Sequence, residues 1–313
     1  MRSQPQLTVL GSLNMDISVS VRRLPGPGET ILGVGAVIAP GGKGANQAVA
    51  AARLGAAVRM VGCVGEDEFG DRITAALRAE DIGLASVRAV PGCATGLALI
   101  TVDAAGENMI TVAPGANGQA GEQEAAAALS GPAGLLVLSA EIPAEALAAV
   151  LSQAGDRGMT CLLNLAPVPG EPESLLSAGV DWLVVNESEA SAILGRTVAG
   201  LRDAASAAAA LAAIGARHAV VTAGSHGAVL AGAAGAESVP GFPVRSVDSV
   251  GAGDAFVAAL GVTLAAGVTP AEALRAACAA GATATTRRGT QVALPRPAEI
   301  RAATGAEWPA ALG

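Results

Sequence analysis

Leu135-Leu136-Val137-Leu138-Ser139 is an apolar run of strand length, and the segments on its C-terminal side decide the fold. Pro143 stands where its fixed φ would open a helix at the N1 position, and the pattern predicts a helix to about Asp156. A second apolar strand, Met159 to Asn164, comes next. Trp182 to Val185 and Ala219 to Thr222 repeat the pattern, with helical segments between them. Strands that are apolar throughout are buried on both faces. Strand–helix alternation requires right-handed crossovers, and so a parallel sheet with helices on both sides. The expected fold class is α/β, a three-layer parallel-sheet domain.

Outward from this unit the rhythm changes. Leu7 to Val21 reads as strand, with Ile17, Val19 and Val21 alternating against Ser18 and Ser20. Ile31 to Ile38 reads as another strand. Ala45 to Leu54 is a helix stopped by Gly55, Val58 to Val64 a short strand, and Phe69 to Glu80 a helix. Thr95 to Val102 and Met109 to Val112 flank the turn-like Asp103-Ala104-Ala105-Gly106, which predicts a hairpin. The strands within about 14–38 and 95–112 do not fit βαβ alternation. They are expected to project as a small β-sheet lid over the carboxyl edge of the parallel sheet, where ligands bind in open α/β folds. The last third reads as mainly helical, with Asp254 to Ala266 and Pro270 to about Thr285. No repeat and no long linker interrupts the chain, so 1–313 reads as a single domain.

Composition narrows the function. Hydrophobic residues make up 51%, but much of that is alanine, and runs such as Ala207 to Ala213 are short. None reaches the ~18 strongly apolar residues of a membrane-spanning helix. Met1 to Gln6 carries no apolar signal core, so a cytoplasmic protein is expected, with no membrane partner. A net charge of −8 argues against a nucleic-acid partner, which needs a basic face. It says little about nucleotides, which backbone amides and a few cations can hold. Cys63, Cys93, Cys161 and Cys278 lack CxxC spacing and read as buried thiols. His218 and His226 alone do not make a metal site.

Gly251-Ala252-Gly253-Asp254-Ala255-Phe256 opens a helix with two glycines and a carboxylate. Such a tip offers unpaired N–H groups and partial positive charge to a phosphate. Asp254 stands in that turn, where a base could meet an attacking hydroxyl. The helix end is expected to keep it ionised and weakly basic. The second strong feature is Gly41-Gly42-Lys43-Gly44-Ala45-Asn46. It is no P-loop, since Gly44 replaces the hydroxyl residue that would hold magnesium. Its glycines let a small ligand touch backbone, and Lys43 and Asn46 offer donors. The same run could equally be a flexible loop feeding a helix.

Asn14 and Asp16 are two residues apart on a strand and so share a face. An amide–carboxylate pair of this kind can hold a vicinal diol; Asn and Asp are also common turn residues. Asn186-Glu187-Ser188-Glu189 follows an apolar strand. Asn186 and Glu189 could form a capping box, or could face nucleotide phosphates and the water shell of magnesium. Thr222-Ala223-Gly224-Ser225-His226-Gly227 ends another strand and offers backbone amides and a hydroxyl to a phosphate.

Taken in order, these runs resemble the ribokinase branch of the PfkB carbohydrate kinase family, from about Leu7 to Pro295. The family's N-terminal signature is matched by Gly41 to Asn46, its C-terminal signature by Asp248 to Phe256, and its N-x-x-E motif by Asn186 and Glu189. The resemblance implies a ribokinase-like fold and transfer of a phosphoryl group from ATP to a sugar, D-ribose at O5 first among the candidates. It implies sugar contacts from Asn14, Asp16, Gly42, Lys43, Asn46 and Glu141, with Asp254 as base. It places an anion hole on the backbone of Gly251, Ala252, Gly253 and Asp254, and gives Lys43 a charge-stabilising role. ATP contacts fall on Asn186, Glu189, Thr222, Gly224, Ser225, Gly227 and Gly253, with Cys278 where the family often has asparagine or histidine near adenine. The family uses Mg2+ with ATP and a monovalent activator, usually K+. Ligands for the latter match Asp248 and the backbone of Val250, Ala284, Arg287 and Gly289. Ala293 stands where a further ligand is commonly serine, and can offer its carbonyl. Ribokinases are homodimers through the lid, so a homodimer is expected here.

Four other readings compete. A kinase of the same family for another pentose or a ketohexose is the main rival, and Asn14, Asp16 and Glu141 together favour a hydroxyl-rich sugar. A nucleoside kinase would be expected to carry stacking aromatics in the lid, and aromatics make up only 2% of this chain. A non-catalytic sugar-binding protein would have no need of Asp254, Lys43 and the glycine tip together. An NAD-dependent dehydrogenase lacks its glycine fingerprint here.

Overall fold

The computed structural model describes residues 4–104, 107–132 and 134–309. Their strands are β1 (Gln6–Leu10), β2 (Asn14–Ser20), β3 (Ala36–Gly41), β4 (Ala57–Gly65), β5 (Gly83–Val90), β6 (Gly96–Val102), β7 (Asn108–Ala113), β8 (Leu135–Ser139), β9 (Thr160–Asn164), β10 (Val180–Asn186), β11 (Ala216–Thr222), β12 (Gly227–Gly232) and β13 (Gly235–Pro240). The helices are α1 (Lys43–Arg53), α2 (Glu68–Ala79), α3 (Glu122–Leu129), α4 (Ala144–Ala154), α5 (Pro172–Leu176), α6 (Glu187–Leu194), α7 (Gly200–Ala213), α8 (Ala252–Ala265), α9 (Pro270–Ala284) and α10 (Pro297–Thr304).

A nine-stranded sheet runs in the order β13-β12-β11-β10-β9-β8-β1-β4-β5. From β5 to β11 every neighbour is parallel; β12 and β13 close that edge antiparallel. Alternate residues of one strand face opposite layers. Leu135 and Val137 of β8 pack with α1, α2, α8 and α9, whereas Leu136 and Leu138 pack with α3, α4, α5 and α7. Two apolar layers, one on each face of the sheet, give the three-layer α/β arrangement. No helix among the described residues is long and apolar enough to cross a membrane.

A separate four-stranded sheet has the order β3-β2-β6-β7. The stretch Leu7 to Val21, read as one strand, is two: β1 joins the large sheet, and after Gly11 to Leu13 the chain enters the small one as β2. The strand expected over Ile31 to Ile38 lies later, at Ala36–Gly41, because it pairs with β2 from Asn14↔Gly41 to Val19↔Ala36. The β6–β7 hairpin forms as expected; Ala105 and Gly106 of its turn lie outside the described residues. Pro143 is the N-cap of α4 rather than N1, with ψ of 136° that still precedes the helix. β5, α3, the β12–β13 hairpin and α10 were not expected from the sequence pattern.

Candidate active site

The carboxyl ends of β8 to β11 carry the expected site residues: Glu141 just beyond β8, Asn186 closing β10 and Thr222 closing β11. Against that edge stand the first turns of α1 and α8, and Asn14 and Asp16 of β2. The helix start at Gly42 requires glycine: its φ is +88°, and a Cβ would lie 2.7 Å from the Asn14 amide nitrogen. Gly251, the N-cap of α8, is likewise left-handed at φ 81°. Both glycine runs therefore deliver helix tips to one place.

Asp254 is where these elements meet. Asn46 Nδ2 donates to its Oδ2 at 3.0 Å and Gln47 Nε2 to its Oδ1 at 3.0 Å. The carboxyl is buried, and removal from water raises its pKa above the ordinary value. The Lys43 ammonium and the two amide donors oppose the rise; Glu141 adds to it. Burial outweighs the neighbours that favour the charged form, so the expectation that the helix end keeps Asp254 ionised and weakly basic is corrected: its pKa is raised.

Burial works against the charged form of Lys43, but the Asp254, Glu141 and Glu189 carboxylates outweigh it and its pKa is raised. Burial first, then Glu141 and Asp254, push Asp16 up to about 7. Asn14 lies in β2, not in a turn, and its Oδ1 accepts from Asn117 Nδ2 at 2.7 Å. Glu141 Oε2 accepts from Ser12 Oγ at 2.6 Å and from the Lys43 amide at 3.2 Å, tying the end of β8 to the start of α1. Asn14, Asp16, Gly42, Lys43, Asn46, Glu141 and Asp254 thus belong to one polar neighbourhood. Carboxylates, amides and one cation in such density suit a ligand made of hydroxyl groups.

A cleft of about 590 Å³ opens beside it. Thr222, Gly224, Ser225, Gly227, Ala252, Gly253 and Cys278 all line it. Burial pushes the Cys278 thiol up to about 12, so it stands there as a neutral, polarisable wall. Phe242, Pro243 and Val244, beyond β13, also line it and were not singled out from sequence, although Gly241-Phe242-Pro243 is a turn-type run. Gly253, one residue from Asp254, brings the cleft to the start of α8. Asn186 and Glu189 do not line the cleft. They form the capping box of α6, the Glu189 amide donating to Asn186 Oδ1 at 2.8 Å and the Asn186 amide to Glu189 Oε2 at 2.8 Å. Burial raises the Glu189 pKa, and Lys43 opposes it, so the two face each other closely enough to couple.

Asp248 joins two loops. Its carboxylate accepts from the Val250 amide at 3.1 Å and from the Gly289 amide at 3.0 Å. Arg287 Nη2 donates to the Ala293 carbonyl at 3.2 Å while Nη1 pairs with Glu299. The donors that the resemblance assigns to a monovalent cation, the Asp248 carboxylate and the carbonyls of Val250, Ala284, Arg287, Gly289 and Ala293, are all oxygens, and the Ala293 carbonyl already accepts from Arg287. Among the described residues no group of three or more His, Cys, Asp and Glu is placed to hold a metal ion.

Gln47, Asn117, Asn164 and Gln291 reach this network and were not foreseen. Gln47 is next to Asn46 in a run already singled out, but nothing in the spacing says which partners, more than 100 residues away, it meets.

Comparisons with known proteins agree with this outline. The model for the pfkB family of carbohydrate kinases matches residues 4–297. The ribokinase of Haemophilus influenzae is 35% identical over 291 residues, 92% of this chain and 95% of that protein. The ribokinase of Bacillus subtilis is 36% identical over 297 residues, 94% of this chain and 97% of that protein. Among solved structures, Arabidopsis thaliana ribokinase complexed with ribose and ATP aligns with a TM-score of 0.85 and 31% identity, covering 95% of this chain and 98% of that one. The family model over residues 4–297 and these relatives, more than 30% identical over most of both chains, place the chain in the pfkB family of carbohydrate kinases.

Proposed function

We propose that the chain transfers the γ-phosphoryl group of ATP to O5 of D-ribose, giving D-ribose 5-phosphate and ADP. The observation that carries this is the position of Asp254, between the polar neighbourhood and the cleft of about 590 Å³. Ribokinases are among the relatives that match over more than nine-tenths of both chains.

Asn14, Asp16, Asn46 and Glu141 orient the sugar hydroxyls. Asp254 takes the O5 proton as O5 attacks the γ-phosphorus. The transition state of such a transfer is loose, so positioning and charge stabilisation do most of the work. First-turn N–H groups of α8 and the Lys43 ammonium face the developing charge. Adenine lies against Cys278, with Thr222, Gly224, Ser225 and Gly227 toward the phosphates. Glu189 with Asn186 would serve the water shell of a magnesium ion brought with ATP, which would supply neutralisation of phosphate charge. A monovalent cation, K+ first, belongs on Asp248 and the carbonyls around it, where it would brace the loops behind the helix tip. The small sheet acts as a lid that excludes water. Two lids pair in a homodimer, the whole chain forms one kinase domain, and its place is the cytoplasm.

The test is ADP release with MgATP over D-ribose, 2-deoxyribose, fructose and adenosine, with and without K+. Strongest turnover on D-ribose supports the proposal. Strongest turnover on 2-deoxyribose would move the substrate, a reading favoured by 34% identity over 253 residues to the deoxyribokinase of Salmonella typhimurium. ATP binding with no turnover on any sugar would overturn the catalytic reading.

A further inference from the structure

Gln47 is fully buried, and its Nε2 donates to two acceptors, Asp254 Oδ1 at 3.0 Å and Asn164 Oδ1 at 3.0 Å. Asn164, the last residue of β9, is itself fixed, with Nδ2 donating to the Val184 carbonyl of β10 at 3.3 Å. The direction of each amide is set by chemistry. A carbonyl can only accept, so Asn164 presents Nδ2 to Val184 and turns Oδ1 toward Gln47. Gln47 must then present Nε2, because the reversed amide would set an oxygen against two acceptor oxygens. Gln47 Oε1 has no hydrogen-bond partner among the described residues, so the fold holds this amide for its nitrogen alone.

The other Asp254 oxygen is treated differently. Oδ2 accepts from Asn46, whose own Oδ1 accepts from Gln291 Nε2 at 3.2 Å in a part-buried contact. The Asn46 amide is thus bonded to α8 and to Gln291, on the side of the part-buried contact, whereas the Gln47 amide is bonded to α8 and, through Asn164, to the parallel sheet.

We propose that Gln47 and Asn164 are positioning residues, an amide relay from the parallel sheet that keeps Asp254 Oδ1 occupied and leaves Oδ2 as the oxygen that takes the proton. The proposal rests on the reading of Asp254 as the base. In the step, the O5–phosphorus bond forms, the bond from the γ-phosphorus to the ADP oxygen breaks, and the O5 proton ends on Oδ2. The relay donor also favours ionised Asp254, together with Asn46 and with Lys43 of α1, against Glu141 beyond β8 and Asp16 of β2. Loss of the relay therefore lets the base rotate and protonate more readily.

The test compares Gln47→Met, Asn164→Ala and Asp254→Asn, each checked for folding by thermal melt and for ADP binding. Gln47→Met keeps the length of the side chain and removes both donor bonds. Its kcat is expected to fall about 10- to 100-fold, the scale of a misplaced reacting group, with KM for ribose little changed. The acid limb of its kcat profile should move to higher pH. Asn164→Ala frees the Gln47 amide and should give a smaller change in the same direction. Wild-type kcat and pH profile in folded Gln47→Met and Asn164→Ala would overturn the relay, as would a rise in KM with kcat intact. If Gln47→Met does not fold, Asn164→Ala decides by the same criteria. Wild-type turnover in Asp254→Asn would instead sink the assignment of the base itself.

Discussion

Asn46 Nδ2 lies 3.0 Å from Asp254 Oδ2, so the amide read as a sugar ligand and the carboxylate read as the base are bonded to each other. A sugar hydroxyl that reaches Asp254 must come between them or share them, which couples binding to chemistry. Asn46→Ala is therefore expected to raise KM for the sugar and lower kcat together. A hydrogen bond to a charged group is worth about 1.5–3 kcal/mol, which sets a loss in kcat/KM of roughly 10- to 100-fold. Steady-state kinetics checks this, and the contrast with Gln47→Met separates the two amides. An effect on KM alone would mean that Asn46 does not steer the base.

Lys43 is the strongest influence opposing the burial of Asp254, and it also faces Glu141 and Glu189. Removing its charge in Lys43→Met should lift the Asp254 pKa further. A carboxylic acid with a raised pKa keeps its proton to higher pH, so the acid limb of the rate profile should shift upward. Raising the pH should recover only the part of the loss due to protonation. The part due to missing charge at the phosphoryl group should persist at every pH. A full pH–kcat profile distinguishes the two; complete recovery at high pH would assign Lys43 to base ionisation alone.

Much of this arrangement was legible because the two glycine runs and the long apolar strands carry local signals. The two helix starts need glycine at Gly42 and Gly251, where φ is positive, and central strands such as Leu135–Ser139 are apolar on both faces. What escaped lacks such signals. β5 is an edge strand, half-buried, with Arg88 inside it; its burial makes sense only once Arg88 pairs with Glu124 at 2.6 Å. β12 is made largely of glycine and alanine, and β13 adds Glu237 and Pro240 to them, all residues with little strand preference; both strands exist because they close the edge beyond β11. The pKa of Asp254 was misjudged for a similar reason. The helix tip is visible in the sequence, but the burial that outweighs it comes from packing between α1 and α8.

Asp16 offers a pH signature of its own. Its folded pKa of about 7 lies far above its ordinary value of 3.8. Between those values the folded protein holds a proton that the unfolded chain has lost, so the contribution of Asp16 to stability is lost as pH rises through that window. Asp16→Asn removes the buried charge. Its gain in melting temperature over the wild type should be small near pH 4 and larger near pH 8. Sugar affinity should show the opposite trend, since the ionised carboxylate is the form that accepts two hydroxyl donors. Wild-type KM for ribose should therefore rise below about pH 7, and Asp16→Asn should bind ribose weakly at every pH. A pH-independent difference in melting temperature would refute the assignment.

The small sheet leaves Val37, Ile38, Leu99, Met109, Ile110 and Val112 each at least 43% exposed. Register puts them on both faces. Ile38 and Leu99 flank Ile17 on one side; Val37 flanks Ser18, and Ile110 lies across Ile100, on the other. Aliphatic side chains concentrated on one four-stranded sheet are costly to leave in water and mark a surface that another protein covers. A second copy of the chain, paired lid to lid across a twofold axis, would cover one of these faces with the same residues from both copies. Sedimentation at micromolar concentration should give a dimer for the wild type and a monomer for the double variant Leu99→Glu with Ile110→Glu. The large sheet packs on α1 to α10 without help from these residues, so the double variant should stay folded and still bind ADP. A monomeric wild type would overturn the dimer, and a double variant that remains dimeric would move the interface away from the lid.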